Sequence, residues 1–328
     1  NGKLLSAKPF AKVTWASEVD MKSGRPIEVP GSRYESGEIT MWPGPIGAHN
    51  WQPMSWEPHR QLMYLPYHDV PGVYNDKAIK PKRFQAEGYQ FEVGVTFGGD
   101  DGDPSDASSG LMAWDPVTQS VHWKVSNPGM WHGGTMVTKG NLVFQGRGDG
   151  LLNAYRADNG EKVWEYDAKH GISAPPITFE VDGRQLIALP VGWGGATAML
   201  GGSVGAQHGW VYGMHPRRLL VFELDGKATL PSTPPPMMIT PVDDPTFVID
   251  DALVERGTDV WSKTCFWCHG PGAVAAGGAP DLRASGMMFD LNALDEIVLK
   301  GQRVARGMPN FGSMYNRDDL ISVQHYVR

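Results

Sequence analysis

The chain has 328 residues, 41% hydrophobic and 20% charged, enough for a sizeable core and, at roughly 150 residues each, about two domains. Lys and Arg number 29 against 36 Asp and Glu, a formal charge of -7, which argues against a nucleic-acid binder and against attraction to an anionic membrane surface. There is no apolar run of about 18 residues to span a bilayer, and two cysteines exclude a disulfide scaffold.

Many Gly, Pro, Asn and Asp turns between short apolar runs predict β structure over residues 1–224. The chain opens Asn1-Gly2-Lys3-Leu4-Leu5, with no Met and no signal-peptide core, which reads as a turn and strand of a structure already under way and predicts a fragment or processed chain. Expected strands include Leu62–Leu65, Phe91–Val95, Leu142–Phe144, Leu186–Leu189 and Leu219–Phe222. Ala113 to Trp123 aligns with Ala154 to Trp164 at an offset of 41 residues (154 − 113), each a small residue, a polar turn and a closing Trp. A period near 40 of this kind predicts propeller blades, with the Ala where two blades approach and the Trp docked on the next blade. Asp20 to Arg25 has the turn without the Trp.

Residues 225–247, with Pro231, Pro234, Pro235 and Pro236, predict an extended linker. Beyond it the periodicity becomes helical, over Asp250–Lys263, Leu291–Lys300 and Arg317–Val327. Residues 248–328 thus predict an all-α domain of about 80 residues, a size at which one core is marginal without a staple.

That staple is Cys265-Phe266-Trp267-Cys268-His269. The C-x-x-C-H spacing presents two thiols to the vinyl groups of a haem and His269 to its iron. A redox dithiol does not need the adjacent His, and a zinc site needs further Cys or His close by, whereas the chain has no other cysteine. Met287, Met288, Met308 and Met314 are available as a second axial ligand. Met308 is the best placed, because Gly307 and Pro309 keep its backbone out of a helix; a Met on a helix is more often core. His/Met ligation raises the potential and suits electron transfer, and haem c attachment implies a periplasmic location.

The C-terminal segment resembles a class I cytochrome c. The β part resembles the alcohol dehydrogenases that use pyrroloquinoline quinone (PQQ), through Gly44 to Ser55, the two Ala…Trp repeats and Leu189 to Ala196. With linker and haem motif in the same order, the match to the quinohaemoprotein (type II or III) alcohol dehydrogenases covers essentially the whole chain; methanol dehydrogenase is more distant. The resemblance implies about four blades of an eight-bladed propeller fused to a cytochrome c domain. It also implies oxidation of a primary alcohol to the aldehyde by PQQ, with electrons passed singly through one covalent haem c to an external acceptor. Asn50, Trp51, Val191 and Trp193 correspond to residues at PQQ, and a flat anionic cofactor suits apolar walls with a few amide donors at its edge. Read without the resemblance, Trp193 is a packing residue and Asn50 a turn residue.

By the same resemblance the Ca²⁺ ligands, the catalytic Asp base, a disulfide ring and a basic residue at the quinone oxygens lie in an N-terminal half, so no catalytic residue is assigned in this chain. Asp20, Asp69, Asp101 and Asp103 are ordinary loop acids by default. Gly98 to Asp103 is acidic and Gly-rich but lacks the spacing of a calcium loop, and a solvated turn is the commoner reading. His122, His132, His170 and His208 show no metal-ligand spacing. Expected partners are the N-terminal half of the propeller, a small alcohol, and a small redox protein or membrane quinone-linked subunit as acceptor. A second reading keeps the chain as an electron-transfer cytochrome on a non-catalytic propeller scaffold. A third changes only the substrate, to a polymer or an alkaloid.

Overall fold

A computed structural model describes residues 2–75, 95–97, 108–129, 131–192, 217–232, 240–273, 275 and 279–328. It opens with a two-stranded hairpin, β1 (Ala16–Val19) and β2 (Pro26–Glu28), whose turn is tied by Asp20: Lys22 N–H and Ser23 Oγ donate to its carboxylate at 2.9 and 2.6 Å. β3 (Ile39–Met41), β4 (Ser55–Glu57), β5 (Leu62–Asp69), β6 (Gly72–Tyr74), β7 (Val95–Phe97), β8 (Ser108–Asp115) and β9 (Ser120–Pro128) come next. They divide into a β3-β6-β7 sheet and a four-stranded β4-β5-β8-β9 sheet. β10 (Thr135–Thr138), β11 (Leu142–Gly146), β12 (Leu151–Arg156) and β13 (Lys162–Asp167) form a second four-stranded sheet. β14 (Ile177–Val181), β15 (Arg184–Val191) and β16 (Arg218–Glu223) form a three-stranded one. Pairing between these strands is antiparallel, the arrangement of propeller-like blades. Of the expected strands, Phe91–Val95 lies mostly outside the described residues.

The repeat is visible in the pairing itself. Ala113 opposes Trp123 and Ala154 opposes Trp164, and in both hairpins a bulge comes at once, before Trp114–Val121 and Tyr155–Lys162. Such a bulge twists the strand and re-aims its side chains. Trp123 donates Nε1–H to Ala157 O of the next sheet at 3.0 Å, and Tyr64 donates its hydroxyl to the same carbonyl at 2.9 Å. Gly160 (φ +76°) closes the β12–β13 turn there, and a Cβ on it would meet Trp123 at 2.7 Å. Trp164 reaches onward in the same sense, edge-on to Phe222 of β16 at 5.7 Å, but stays 41% exposed.

The first four-stranded sheet packs on the second through Leu62, Tyr64, Leu111 and Ala113 against Val143 and Tyr155. The second packs on this three-stranded third sheet through Leu152, with Ile172 of the β13–β14 connection, against Leu189, Val191 and Leu220. Side chains alternate along a strand, so the opposite face of that third sheet carries Ile177, Phe179 and Val181 of β14 with Leu219 and Val221 of β16. All five are exposed, Ile177 to 57% and Leu219 to 67%.

The C-terminal unit is helical. Helix α1 (Asp251–Val260) starts at Asp250, whose carboxylate accepts Ala252 N–H at 2.9 Å and Leu253 N–H at 3.3 Å. It runs into a π-helical turn, Trp261–Cys265, and then α2 (Phe266–His269). α3 (Leu291–Leu294) continues as a second π turn, Asp295–Leu299, and α4 (Arg317–Val327) begins at an Asn316–Asp319 capping box. Two of the three expected helices therefore change pitch part-way, each closed by an i+5 bond: Phe266 N–H to Trp261 O, and Lys300 N–H to Asp295 O at 3.0 Å. Such bulges concentrate at functional sites. α1 and α4 cross so closely that a Cβ on Gly257 would lie 2.0 Å from Ser322 O. Val260, Trp261, Met288, Leu294, Leu320 and Val323 form the core between them. The preceding segment also packs here: Val242 N–H donates to Arg283 O at 2.9 Å, and Phe247 lies 4.8 Å from the His325 ring.

Candidate haem and quinone sites

Cys265 ends the π turn and Cys268 lies one helical turn later, so the two thiols share one side of a short helix; both are free. Burial, with Cys268 beside it, pushes the Cys265 thiol up to about 12. His269 ends the same turn at 8% exposure. Its Nδ1 lies 2.7 Å from the Pro280 carbonyl, which can only accept, so Nδ1 carries the proton and Nε2 keeps a free lone pair. Burial holds the imidazole pKa below its ordinary value, with the Pro280 bond and the Asp281 charge opposing, and favours the neutral, ligating form. Gly270, at φ +83°, turns the chain away, and its carbonyl accepts Trp261 Nε1–H at 3.0 Å. Tyr315 and Thr264 share a hydroxyl–hydroxyl bond beside Cys265, and burial raises the Tyr315 phenol.

Phe266, Leu282, Leu291, Leu299 and Tyr326 stand half-buried on the helical core and supply an apolar wall. Of the four methionines, Met288 is buried in that core beside Trp261, Met287 is exposed on a 3₁₀ turn, and Met314 sits in a turn after Phe311. Met308 comes after the Val304–Arg306 3₁₀ turn and left-handed Gly307 (φ +91°), half-buried in non-helical backbone. Two thiols on one turn, a neutral His with Nε2 available and a half-buried apolar wall are a donor set that fits a covalently bound haem.

Asn50 and Trp51 sit on the loop between β3 and β4. Asn50 clips this loop locally: its Nδ2 donates to Ile46 O and its Oδ1 accepts Trp51 N–H, both at 2.8 Å. One amide hydrogen remains to spare, and Trp51 is 48% exposed. The loop is bolted to β5 and β10. His68 N–H donates to Ala48 O, His49 Nδ1 bonds Pro66 O, and Thr135 N–H donates to Pro53 O, each at 2.8 Å. Gln52 Nε2 lies 3.3 Å from His68 Nε2, both residues at 1% exposure. An amide nitrogen only donates, so His68 Nε2 accepts. Burial, with His49 adding, pushes His68 down to about 4, and it is neutral at pH 7. Gln52 and His68 do not stand out in the sequence, although a His at the end of the apolar run Leu62–Tyr67 is a buried polar group that calls for a partner.

Val191 ends β15, buried, and the next residue Gly192 bridges to Ile172. No hydrogen bond or ring contact among the described residues joins it to the Asn50 loop. Trp193, His208 and the Gly98 to Asp103 segment, with Asp101 and Asp103, lie outside the described residues. Asp69 is paired with Lys124 at 3.0 Å, and His122 bonds Asp158 O at 3.0 Å.

Residues 108–187 match the family described as the glucose/ethanol/alcohol dehydrogenase beta-propeller domain, and residues 252–327 match the cbb3-type cytochrome c oxidase subunit III family. Over 334 residues the chain is 43% identical to quinohemoprotein alcohol dehydrogenase ADH IIB of Pseudomonas putida, covering 100% of this chain and 46% of that protein. The chain is a homologue of the quinohaemoprotein alcohol dehydrogenases. Its structure is similar to that of ADHIIG from Pseudomonas putida HK5, with a TM-score of 0.79 and 34% identity over 99% of this chain and 48% of that one. For the Comamonas testosteroni quinohemoprotein alcohol dehydrogenase the TM-score is 0.74 and the identity 35%, over 100% and 47%. The chain thus spans about half the length of the quinohaemoproteins it matches. The blade-like sheets and the small helical cytochrome c region follow one another in this chain in the order of the two matched families, and the cytochrome c region with its Cys265/Cys268 motif implies haem c.

Proposed function

We propose that this chain is the C-terminal part of a PQQ- and haem-dependent alcohol dehydrogenase that oxidises a primary alcohol to the aldehyde and hands electrons singly to an external acceptor. In this reading residues 1–224 belong to the quinone-binding propeller, 225–247 link, and 248–328 are the cytochrome c domain. The observation that carries it is the His269–Pro280 bond beside two free thiols one turn apart.

Covalent haem c supplies one-electron transfer. Cys265 and Cys268 would form its thioethers, and His269 Nε2 and the Met308 thioether would hold its iron, a ligand pair of higher potential than bis-His. PQQ supplies the two-electron oxidation of the alcohol. Asn50 would offer its spare amide hydrogen at the cofactor edge and Trp51 an indole face, and the proposed cofactor-binding set also includes Val191 and Trp193. His68 and Gln52 hold the Asn50–Trp51 loop rigid, so little ordering is left to be done on binding. The base and the Ca²⁺ ligands come from an N-terminal half of the propeller, and the exposed Ile177–Leu219 face supports a further blade packed there. No helix among the described residues is long and apolar enough to cross a membrane. Haem c attachment would put the protein in the bacterial periplasm, with a small redox protein or membrane-bound quinone-linked subunit as acceptor.

A reduced-minus-oxidised visible spectrum, recorded with the N-terminal half, Ca²⁺ and PQQ and with or without ethanol, tests this. A c-type α band that grows on ethanol addition is expected. A c-type band indifferent to ethanol and PQQ would leave an electron-transfer cytochrome, and no c-type band would end the reading.

A further inference from the structure

His269 reaches the iron correctly only if its ring is held, and among the described residues its hydrogen-bond partner is the Pro280 carbonyl at 2.7 Å. Proline has no N–H to fasten its own peptide, so the position of that carbonyl depends on the residue after it. That residue is Asp281, at 7% exposure, and its carboxylate accepts four hydrogen bonds. Ala275 N–H donates to Oδ2 at 3.2 Å, tying the segment that leaves the Cys-His turn. Arg283 donates its N–H and Nε–H to Oδ1 at 3.1 and 3.0 Å, and Nη2–H to Oδ2 at 2.8 Å. A two-pronged guanidinium–carboxylate pair fixes orientation as well as distance.

The far side of the loop is braced too. Arg328 donates from Nη1 to Arg283 O at 3.1 Å and from Nη2 to Ser285 O at 2.9 Å, and its guanidinium lies 3.8 Å from the centre of the Phe289 ring. We propose that Asp281 is a positioning residue for the His269–iron bond, acting through the Pro280 carbonyl, with Arg328 as its outer brace. The proposal rests on the haem reading above. A hydrogen bond from the distal nitrogen of a ligating His sets its ring orientation and its basicity towards the metal. A carbonyl that drifts away leaves a poorer donor to the oxidised iron, so the reduced form gains.

The test is a redox titration of the haem-loaded full chain, followed by visible absorbance, for wild type, Asp281→Ala, Asp281→Asn and Arg328→Ala. Asp281→Ala is expected to favour the reduced form about tenfold, about 59 mV upward for one electron. Asp281→Asn keeps an acceptor of the same shape for Ala275 N–H and should recover more than half of that shift. Arg328→Ala should move the potential the same way by less. Asp281→Ala at the wild-type potential overturns the proposal. So do equal shifts in the Ala and Asn variants, which would make the effect one of charge alone. If Asp281→Ala takes up no haem, Asp281→Asn and Arg328→Ala decide, and wild-type potentials in both overturn it. A wild-type chain without a c-type band would instead remove the haem reading, before any variant is compared.

Discussion

The two halves of this chain solve the burial problem differently. The helical unit closes its core on itself: α1 and α4 cross at Gly257, and Trp261, Met288 and Leu320 are buried between the helices. The sheets instead pack in a row, each covering one face of the next, and the row ends on Ile177, Phe179, Val181, Leu219 and Val221 facing solvent. A small closed unit depends on what is fastened inside it. A row of sheets depends on what is laid against its end.

The largest expected effect comes from the first half of that contrast. Replacing Cys265 and Cys268 by Ala should abolish covalent haem, read as haem fluorescence on a denaturing gel, and should lower the helical content of residues 248–328, because a core of this size is marginal alone. Within the sheets, Trp123→Ala removes a buried ring and its bond to Ala157 O, and should cost about 3–5 kcal/mol in urea unfolding. Trp164→Ala, the matching position of the second repeat, should cost clearly less because that ring is already part exposed.

His68 gives the row of sheets a pH dependence. Folded, it stays neutral down to about 4, whereas the unfolded chain protonates it near 6.5. The unfolded state therefore binds more protons between these values. Stability is intact above pH 6.5 and is lost as the pH falls towards 4, by up to about 3 kcal/mol. Denaturation midpoints across pH 4–7 should flatten in His68→Gln. In the helical unit, Asn316→Ala removes the capping box of α4 and should cost about 1 kcal/mol, measured by thermal unfolding. The smallest effect belongs to the uncovered face. Leu219→Lys should change the stability of this chain by no more than about 0.5 kcal/mol, yet should weaken co-purification with an N-terminal propeller half; unchanged co-purification would place that partner elsewhere.

The chemistry of the haem motif was legible in the sequence because it is local: five consecutive residues on one turn carry both thiols and the His. The blade repeat was legible for a related reason, since each copy is one hairpin, and the pairing of Ala113 with Trp123 and Ala154 with Trp164 repeats down to the bulge. The change of pitch at Trp261 and Asp295 was not, because a π turn leaves the apolar spacing nearly unaltered. Nor was the support around each site. Pro280 reaches His269 across 11 residues, His68 reaches Gln52 across 16, and Tyr64 reaches Ala157 across 93.

By itself, then, the sequence determined which groups can bind a haem, that sheets precede helices, and which residue types stand on the Asn50–Trp51 loop. Only the tertiary structure decided that Asn50 spends most of its amide on its own loop, that Gln52 of that loop meets the buried His68, that the Pro280 carbonyl next to a buried Asp281 meets His269, and that one sheet face is left uncovered. The reason is the range of the forces involved. Spacing along a strand or turn is set by covalent geometry and reads directly from residue order. Hydrogen-bond partners and covered faces are chosen by which distant segments meet once the core is buried.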